Sequence, residues 1–348
     1  MMKRLIYHVM LLLLFLVAIM ETYAQDVHFS QFFNTPLIQN PAMAGAINNF
    51  EANVNYRSQW SSVTVPFKTL AASAGIKINK GSSRKGHWAA GVQFFNDQGG
   101  DGTLKTTSGN AALVHHIKLS KYQKLGLGLS AGFGQRSIVY DNFEWGSQYT
   151  GTSYNSALPV GEYLPNNNIA YLDLSSGIVY SFNNTSGNIK VTTNNFKQGT
   201  IGFAIHHLNK PQYSFVEGED RMHRKYVLHG DFLFSLKNTP LALQPGFSIY
   251  QQGPSREINL GSLVRYELLP DSKYTGYFQG AGISLGGYYR YKDAVVLAGM
   301  LEFAQYSFGF SYDLNTSKLV AASGGRGAME FTIRIINQNP YFKKTRVF

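Results

Sequence analysis

The chain has 348 residues and no cysteine, so it lacks a disulfide framework, a thiolate nucleophile, a Cys-based zinc site and a lipobox cysteine for acylation. Charged residues make up only 15% of it, beside 22 Tyr, 24 Phe and 35 Gly, too few to coat an ordinary water-soluble surface. The formal charge is +11, yet the basic residues are scattered at alternate strand positions; this argues against nucleic acid and fits an anionic lipid surface, an acidic client or simple solubility.

Met1 to Ala24 reads as a secretory signal peptide, with Lys3 and Arg4 ahead of the apolar run Val9 to Met20 and a small-residue cleavage site before Gln25. That run is shorter than the roughly 20 residues a spanning helix needs. No later apolar run reaches the ~18 residues that would mark a transmembrane helix, so the mature chain is either soluble or a closed barrel. Residues 25–49 form an N-terminal segment. Within it Pro41 biases Asn40 away from the helical region, which predicts a fixed turn from Asn40 to Gly45 and makes the stretch a candidate plug for a barrel lumen.

From residue 50 onward the pattern has period two. Phe50, Ala52, Val54 and Tyr56 alternate with Glu51, Asn53, Asn55 and Arg57, one face suited to lipid and the other to water. Leu70, Ala72, Ala74, Ile76 and Ile78 repeat the scheme, the Asn79 to Gly86 stretch supplies a turn, and Trp88, Ala90, Val92 and Phe94 open the next strand. Leu125, Leu127, Leu129, Ala131 and Phe133 alternate with Gly126, Gly128, Ser130, Gly132 and Gly134. A face so poor in side chains is read either as room for something packed inside or as a bend in the wall.

Strands are predicted near residues 50, 70, 88, 104, 124, 171, 200, 225, 242, 257, 280, 293, 305 and 328, with Ser137 to Asn168 as the longest loop. The expectation is therefore all-β: a transmembrane antiparallel barrel of about 14 strands over residues 50–336, followed by a polar tail, 337–348. A soluble β-sandwich would also alternate, but it would carry a charged exterior that this chain lacks.

Beyond architecture, several blocks carry a family resemblance. Gln25-Asp26-Val27-His28-Phe29-Ser30-Gln31-Phe32, Asn40-Pro41-Ala42-Met43-Ala44-Gly45 and Tyr56-Arg57-Ser58-Gln59-Trp60 resemble the PorP/SprF family of type IX secretion membrane proteins. Asp173-Leu174-Ser175-Ser176-Gly177-Ile178-Val179-Tyr180, His207-Leu208-Asn209-Lys210-Pro211 with Ser214-Phe215, and Gly327-Ala328-Met329-Glu330-Phe331 follow in order. The resemblance implies an outer-membrane barrel of a Gram-negative, Bacteroidetes-type cell that serves type IX secretion and gliding motility. Its implied partners are a secreted adhesin or other client, met through the client's C-terminal domain, periplasmic secretion-machine subunits and outer-membrane lipid. Candidate partner-binding residues are Asn40, Pro41, Ala42, Gly45, Arg57, Trp60, His207 and Pro211.

Catalytic chemistry is not expected, and neither is a cofactor or metal. His115-His116 and His206-His207 are pairs of adjacent residues; in strands their side chains point to opposite faces and cannot chelate one ion. Gly99-Gly100-Asp101-Gly102 lacks both the Lys-Ser/Thr of a P-loop and EF-hand spacing. No motif selects a Ser and His for a barrel hydrolase. The alternative to a secretion component is a passive outer-membrane transporter of hydrophobic or small solutes.

Overall fold

The computed structural model describes residues 26–63, 65–78, 86–100, 104–140, 143–161, 166–184, 197–215, 220–269 and 280–337. The predicted signal peptide, residues 79–85 of the predicted turn, the tail beyond Asn337, and Asp101 and Gly102 of the glycine-rich loop lie outside the described residues. Among the described residues fourteen strands form one sheet: β1 (Phe50–Gln59), β2 (Phe67–Lys77), β3 (Gly86–Gly99), β4 (Leu104–Lys118), β5 (Gln123–Ser137), β6 (Asn168–Asn183), β7 (Lys197–His206), β8 (Lys225–Ser235), β9 (Leu241–Gln252), β10 (Ser255–Leu269), β11 (Ala281–Arg290), β12 (Ala294–Phe303), β13 (Tyr306–Asn315) and β14 (Arg326–Asn337). Each pairs antiparallel with its sequence neighbours, and β1 pairs with β14 from Phe50↔Asn337 to Gln59↔Ala328, closing the barrel. Closure leaves no strand edge, the condition for crossing a bilayer with strands. No helix among the described residues is long and apolar enough to cross a membrane.

Period two decides which face each residue takes. In β1 Asn53, Asn55 and Arg57 are buried inside, while Val54 and Tyr56 stand outside. In β5 Leu127, Leu129 and Phe133 cover the exterior, Leu129 being 68% exposed, and Gly126, Gly128 and Gly134 line the interior. The exterior is a continuous apolar belt and the interior carries the polar residues, the reverse of a water-soluble protein.

We call the end where β1 begins and β14 finishes the proximal mouth, and the opposite end the distal mouth. The distal mouth carries the longest links, 138–167 between β5 and β6 and 207–224 between β7 and β8. The wall has an interruption between β8 and β9, where pairing skips Phe232 and Leu233 opposite Gln244 and Pro245. Pro245 has no N–H to donate to the ladder.

Residues 26–49 lie against the inner faces of strands from all around the barrel. They form short 3-10 and α turns, Phe32–Asn34, Pro36–Gln39 and Pro41–Met43, and no strand. Phe32 and Phe33 pack with Leu263, Tyr288, Val296 and Ala298 of β10 to β12. Phe33 stacks on the Tyr288 ring at 5.3 Å, and Phe32 meets the same ring edge-on at 5.1 Å. Leu37, Ala42, Ala44 and Ala46 pack with Ala89, Val114 and Val179 of β3, β4 and β6.

The glycine face of β5 has its explanation here. A Cβ on Gly128 would stand 2.6 Å from the Ala42 nitrogen and 2.7 Å from its Cα, so the backbone of the segment occupies the space a side chain would take. Gly126 gives way similarly to the His116 ring and Gly134 to the Tyr171 ring. Of these positions Gly128 faces the N-terminal segment, while Gly126 and Gly134 make room for side chains of the neighbouring strands β4 and β6.

Gly128→Val is therefore expected to destabilise the barrel by ~1–3 kcal/mol through overpacking, whereas Gly146→Ala, with nothing within 4 Å of the added methyl, is neutral. Thermal unfolding in detergent, followed by heat-modifiable gel mobility, distinguishes the two.

Candidate functional site

An irregular stretch inside a barrel has peptide groups that no ladder satisfies, and each needs a partner. The wall supplies them from side chains. His206 Nε2 lies 3.0 Å from the Gln39 carbonyl, His116 Nε2 2.7 Å from that of Ala44 and His87 Nε2 3.0 Å from that of Gly45. A carbonyl only accepts, so all three imidazoles donate from Nε2. Lys124 Nζ donates to the Ala46 carbonyl at 3.1 Å and Lys225 Nζ to that of Val27 at 3.4 Å.

Asn40 is the pivot of the middle portion. Its extended backbone, φ −156°, is the conformation a following proline selects. Its Oδ1 accepts from the Ala42 N–H at 2.9 Å, capping the turn, and its Nδ2 donates to the Ile178 carbonyl at 3.0 Å and to His229 Nε2 at 3.1 Å. Gly177 of β6 and Gly202 of β7 leave the room: a Cβ on either would collide with the Asn40 amide. Gly45 has φ +68°, the left-handed region, with the Ala89 methyl 2.7 Å from where its Cβ would be, so only glycine suits it.

Toward the distal mouth the contacts become ionic. Ser30 Oγ donates to Asp313 Oδ2 at 2.8 Å and accepts from Arg57 at 2.7 Å and Arg290 at 2.5 Å. Glu330 accepts the Ser30 and Gln31 backbone N–H groups, at 2.5 and 2.9 Å, and pairs with Arg57 at 2.5 Å. Asp313 bridges Arg57 at 3.2 Å and Arg290 at 3.1 Å. Arg57, Asp313 and Glu330 are each no more than 2% exposed. Such a cluster is weak evidence for stability as a whole, but removing one member leaves a buried charge unpaired at a cost of ~3–5 kcal/mol.

The last anchor holds Asp26. Its carboxylate lies 2.7 Å from His207 Nε2 and 3.8 Å from Lys225 Nζ, and its N–H donates to Gln252 at 3.0 Å. His207 Nδ1 in turn lies 2.9 Å from Asp173 Oδ1. Burial alone would favour neutral groups, but the facing charges outweigh it. His207 is pushed up to about 10 by the Asp26 charge and the hydrogen bonds of Asp173 and Asp26. The charges of His207 and Lys225 hold the Asp26 carboxyl well below the usual carboxylate range. The neighbouring His28 is held well below the usual imidazole range by burial and by the Arg290 and Arg57 charges, so it faces Glu257, 3.4 Å away, as a neutral ring.

The histidine pairs divide. His115 lies outside against the Trp88 ring, tilted, at 4.6 Å, and His116 points inward, as alternation expects. His206 and His207 break the rule, because β7 ends at His206 and His207 has φ +57°. Both rings therefore reach the interior, and Pro211 lies in the link beyond, not at the strand terminus. There the Leu208 N–H donates to the Leu174 carbonyl at 2.8 Å, and Asn209 Oδ1 accepts from the Leu174 N–H at 3.2 Å. Pro211 is buried, its carbonyl accepting from Met222 at 2.9 Å. Among the described residues no group of histidines and carboxylates has the arrangement to hold a metal ion.

Of the sequence-level candidates, Asn40, Pro41, Ala42, Gly45 and Arg57 thus lie within the lumen, and His207, Trp60 and Pro211 at its distal mouth. Trp60 turns the chain out of β1 at φ +59°, with its N–H on the Gly327 carbonyl at 3.1 Å and its ring against Phe67 at 5.2 Å. Ser30, Asp26, Asp173, Arg290, Asp313 and Glu330 are not among those candidates. Asp26, Ser30, Asp173 and Glu330 do lie within the blocks that carry the resemblance, whereas Arg290 and Asp313 show only a polar residue at an inward strand position, a signal shared by many residues that make no such contact.

The residue blocks that carry the family resemblance are brought together here, Ser30 with Arg57 and Glu330, and His207 between Asp26 and Asp173. A family model described as type IX secretion system membrane protein PorP/SprF matches residues 21–335. The chain belongs to the PorP/SprF family. It is an outer-membrane β-barrel of the type IX secretion system. No curated protein matches the sequence. Solved structures similar to it include BamA from Haemophilus ducreyi lacking POTRA domains 1–3, at 9% identity and TM-score 0.43, covering 83% of this chain and 70% of that one. CdiB from Escherichia coli matches at 8% identity and TM-score 0.44, covering 82% and 62%. A TodX monoaromatic hydrocarbon channel mutant matches at 8% and 0.41, covering 86% and 92%.

Two outcomes are expected. Arg57→Met is expected to lower stability by ~3–5 kcal/mol, measured by chemical unfolding, because it strands the buried Glu330 and leaves Asp313 with Arg290 alone. The Asp26–His207 pair sets a pH window. A raised His207 contributes fully below the ~6.5 of the unfolded imidazole and loses that contribution as pH rises through about 10. A depressed Asp26 contributes above the ~3.9 of the unfolded carboxyl and loses it as pH falls toward its folded value. Both therefore contribute between about pH 4 and 6.5, and the decline of the melting temperature between pH 6.5 and 10 is expected to be smaller in His207→Gln.

Proposed function

We propose that this PorP/SprF-family barrel binds a secreted client, an adhesin or another type IX substrate, and helps export or anchor it, with its lumen closed by residues 26–49. The observation that carries this reading is the attachment of that segment along its length, from Asp26 at the distal mouth to Ala46 near the proximal one. A lumen occupied in this way is no conduit for a large protein, which leaves the work to the two mouths. Short periplasmic turns and longer extracellular loops are the general rule for such barrels. By that rule the distal mouth, with links 138–167 and 207–224, faces outward to the client, and the proximal mouth faces the periplasmic subunits. The role is binding, with no catalytic step.

A second reading, passive transport of small or hydrophobic solutes, draws on two recesses that share the segment as a wall. One, of about 120 Å³, includes Asp26, Phe29 and Ile38 in its lining. The other, of about 160 Å³, includes Phe32, Pro36 and Met43. Displacing the segment would join them.

Affinity purification of the tagged protein from detergent-solubilised outer membranes, with mass spectrometry of what co-purifies, separates the readings. Recovery of a large secreted adhesin or secretion-machine subunits is expected. A barrel without protein partners that carries bound lipid would instead favour transport.

A further inference from the structure

We propose that the recess at the distal mouth is a binding site for a peptide carboxylate, with Arg136 as the group that receives it. The proposal rests on the reading that this mouth meets a protein client, and it names the chemistry by which it does so.

Arg136 lies near the distal end of β5, opposite Ile169 of β6, at an inward position of the strand, and it lines the recess. Its partners among the described residues are rings: the guanidinium lies 5.0 Å from the centroid of Tyr213 and 5.6 Å from that of Phe215, both in the 207–224 link. Contact of this kind with ring faces holds a guanidinium in position and leaves its N–H fork available for a planar carboxylate.

The other charged groups around the recess have partners of their own. Asp26, Asp173, His207 and Lys225 pair with one another, and Asp97 accepts from Thr69 Oγ1 at 2.6 Å. Among the described residues Arg136 has no anionic partner.

Two further side chains of the lining define what accompanies that anion. Among the described residues Gln93 Oε1 and Asn110 Oδ1 have no hydrogen-bond partner, and both atoms are turned away from solvent. A buried amide without a partner is costly, and rotation of either side chain toward the recess would let a ligand's N–H groups relieve it. Apolar walls are contributed by Phe29, Phe95 and Met222. A carboxylate, amide N–H groups and an apolar side chain together describe the end of an extended peptide, or an Asp or Glu within one. The volume of about 120 Å³ is near the ~150 Å³ of a cavity that takes a benzene ring, so the recess has room for about one apolar side chain. A free inorganic anion would satisfy Arg136 and leave both amides unmet.

The test uses the full-length barrel in detergent and three probes: acetyl-Phe-Ala with a free C-terminus, the same peptide amidated, and amidated acetyl-Phe-Asp. Isothermal titration is expected to show at least one of the two acids binding about tenfold or more tighter than the neutral amide. Which acid binds identifies the source of the carboxylate. Arg136→Gln is expected to abolish the difference and Arg136→Lys to retain part of it, each variant first shown to be folded by its heat-modifiable gel mobility. Equal binding of acid and amide, no binding of any probe, or no effect of Arg136→Gln overturns the proposal. So does binding that appears only in a Glu217→Gln/Glu219→Gln variant, since the chain's own acidic link would then be the occupant. If affinity purification recovers the same client from wild type and Arg136→Gln, the client reading stands and this assignment alone falls.

Discussion

Everything inside this barrel answers to one constraint: a peptide segment without regular structure, placed where no sheet can bond it, must find a partner for each buried N–H and C=O. Burial of Phe32, Phe33 and Leu37 returns ~1.5–3 kcal/mol apiece. Ordering the segment costs ~1–2 kcal/mol for each residue's backbone, so the apolar anchors do not suffice. The remainder comes from many polar contacts, each worth ~0.5–1.5 kcal/mol net, or ~1.5–3 kcal/mol where a charge takes part. That arithmetic explains why histidine, lysine, arginine and asparagine are so densely placed on the lumenal face opposite residues 26–46.

These contacts are graded along the axis. Near the proximal mouth His87 and His116 each place a single donor on a carbonyl. At the distal mouth whole ions converge, on Ser30 from Arg57, Arg290, Asp313 and Glu330, and on Asp26 from His207 and Lys225. Ion pairs depend on both partners being present and charged, so the distal anchors are the ones that pH or a competing charged group can loosen. The proposed carboxylate site at Arg136 shares a recess with the Asp26 anchor, which places a client's anion beside the part of the segment most sensitive to charge.

The strands were legible from the sequence because each is a local pattern: alternation in β1, β2 and β5 specifies both the strand and the face each residue takes. The glycines of β5 showed that something close would lie inside, without showing what. The partners themselves could not be read. That Ser30 meets Glu330, or Asp26 meets His207, depends on how fourteen strands register around a closed ring, a property no window of sequence contains. His207 also shows where alternation fails, since one residue of positive φ at the end of β7 turns a side chain from the outer face to the inner one. Asn40, Pro41, Gly45 and Arg57 stood out through a family resemblance, and the structure gives each a physical task within the lumen.

The central claim is that the segment closes the barrel, and electrical conductance of the purified full-length protein in planar bilayers tests it most directly. The account predicts no steady ohmic conductance for the wild type, and channel openings in an Arg57→Met/His207→Gln variant whose distal anchors are lost. Stable, open conductance from the wild type would contradict it.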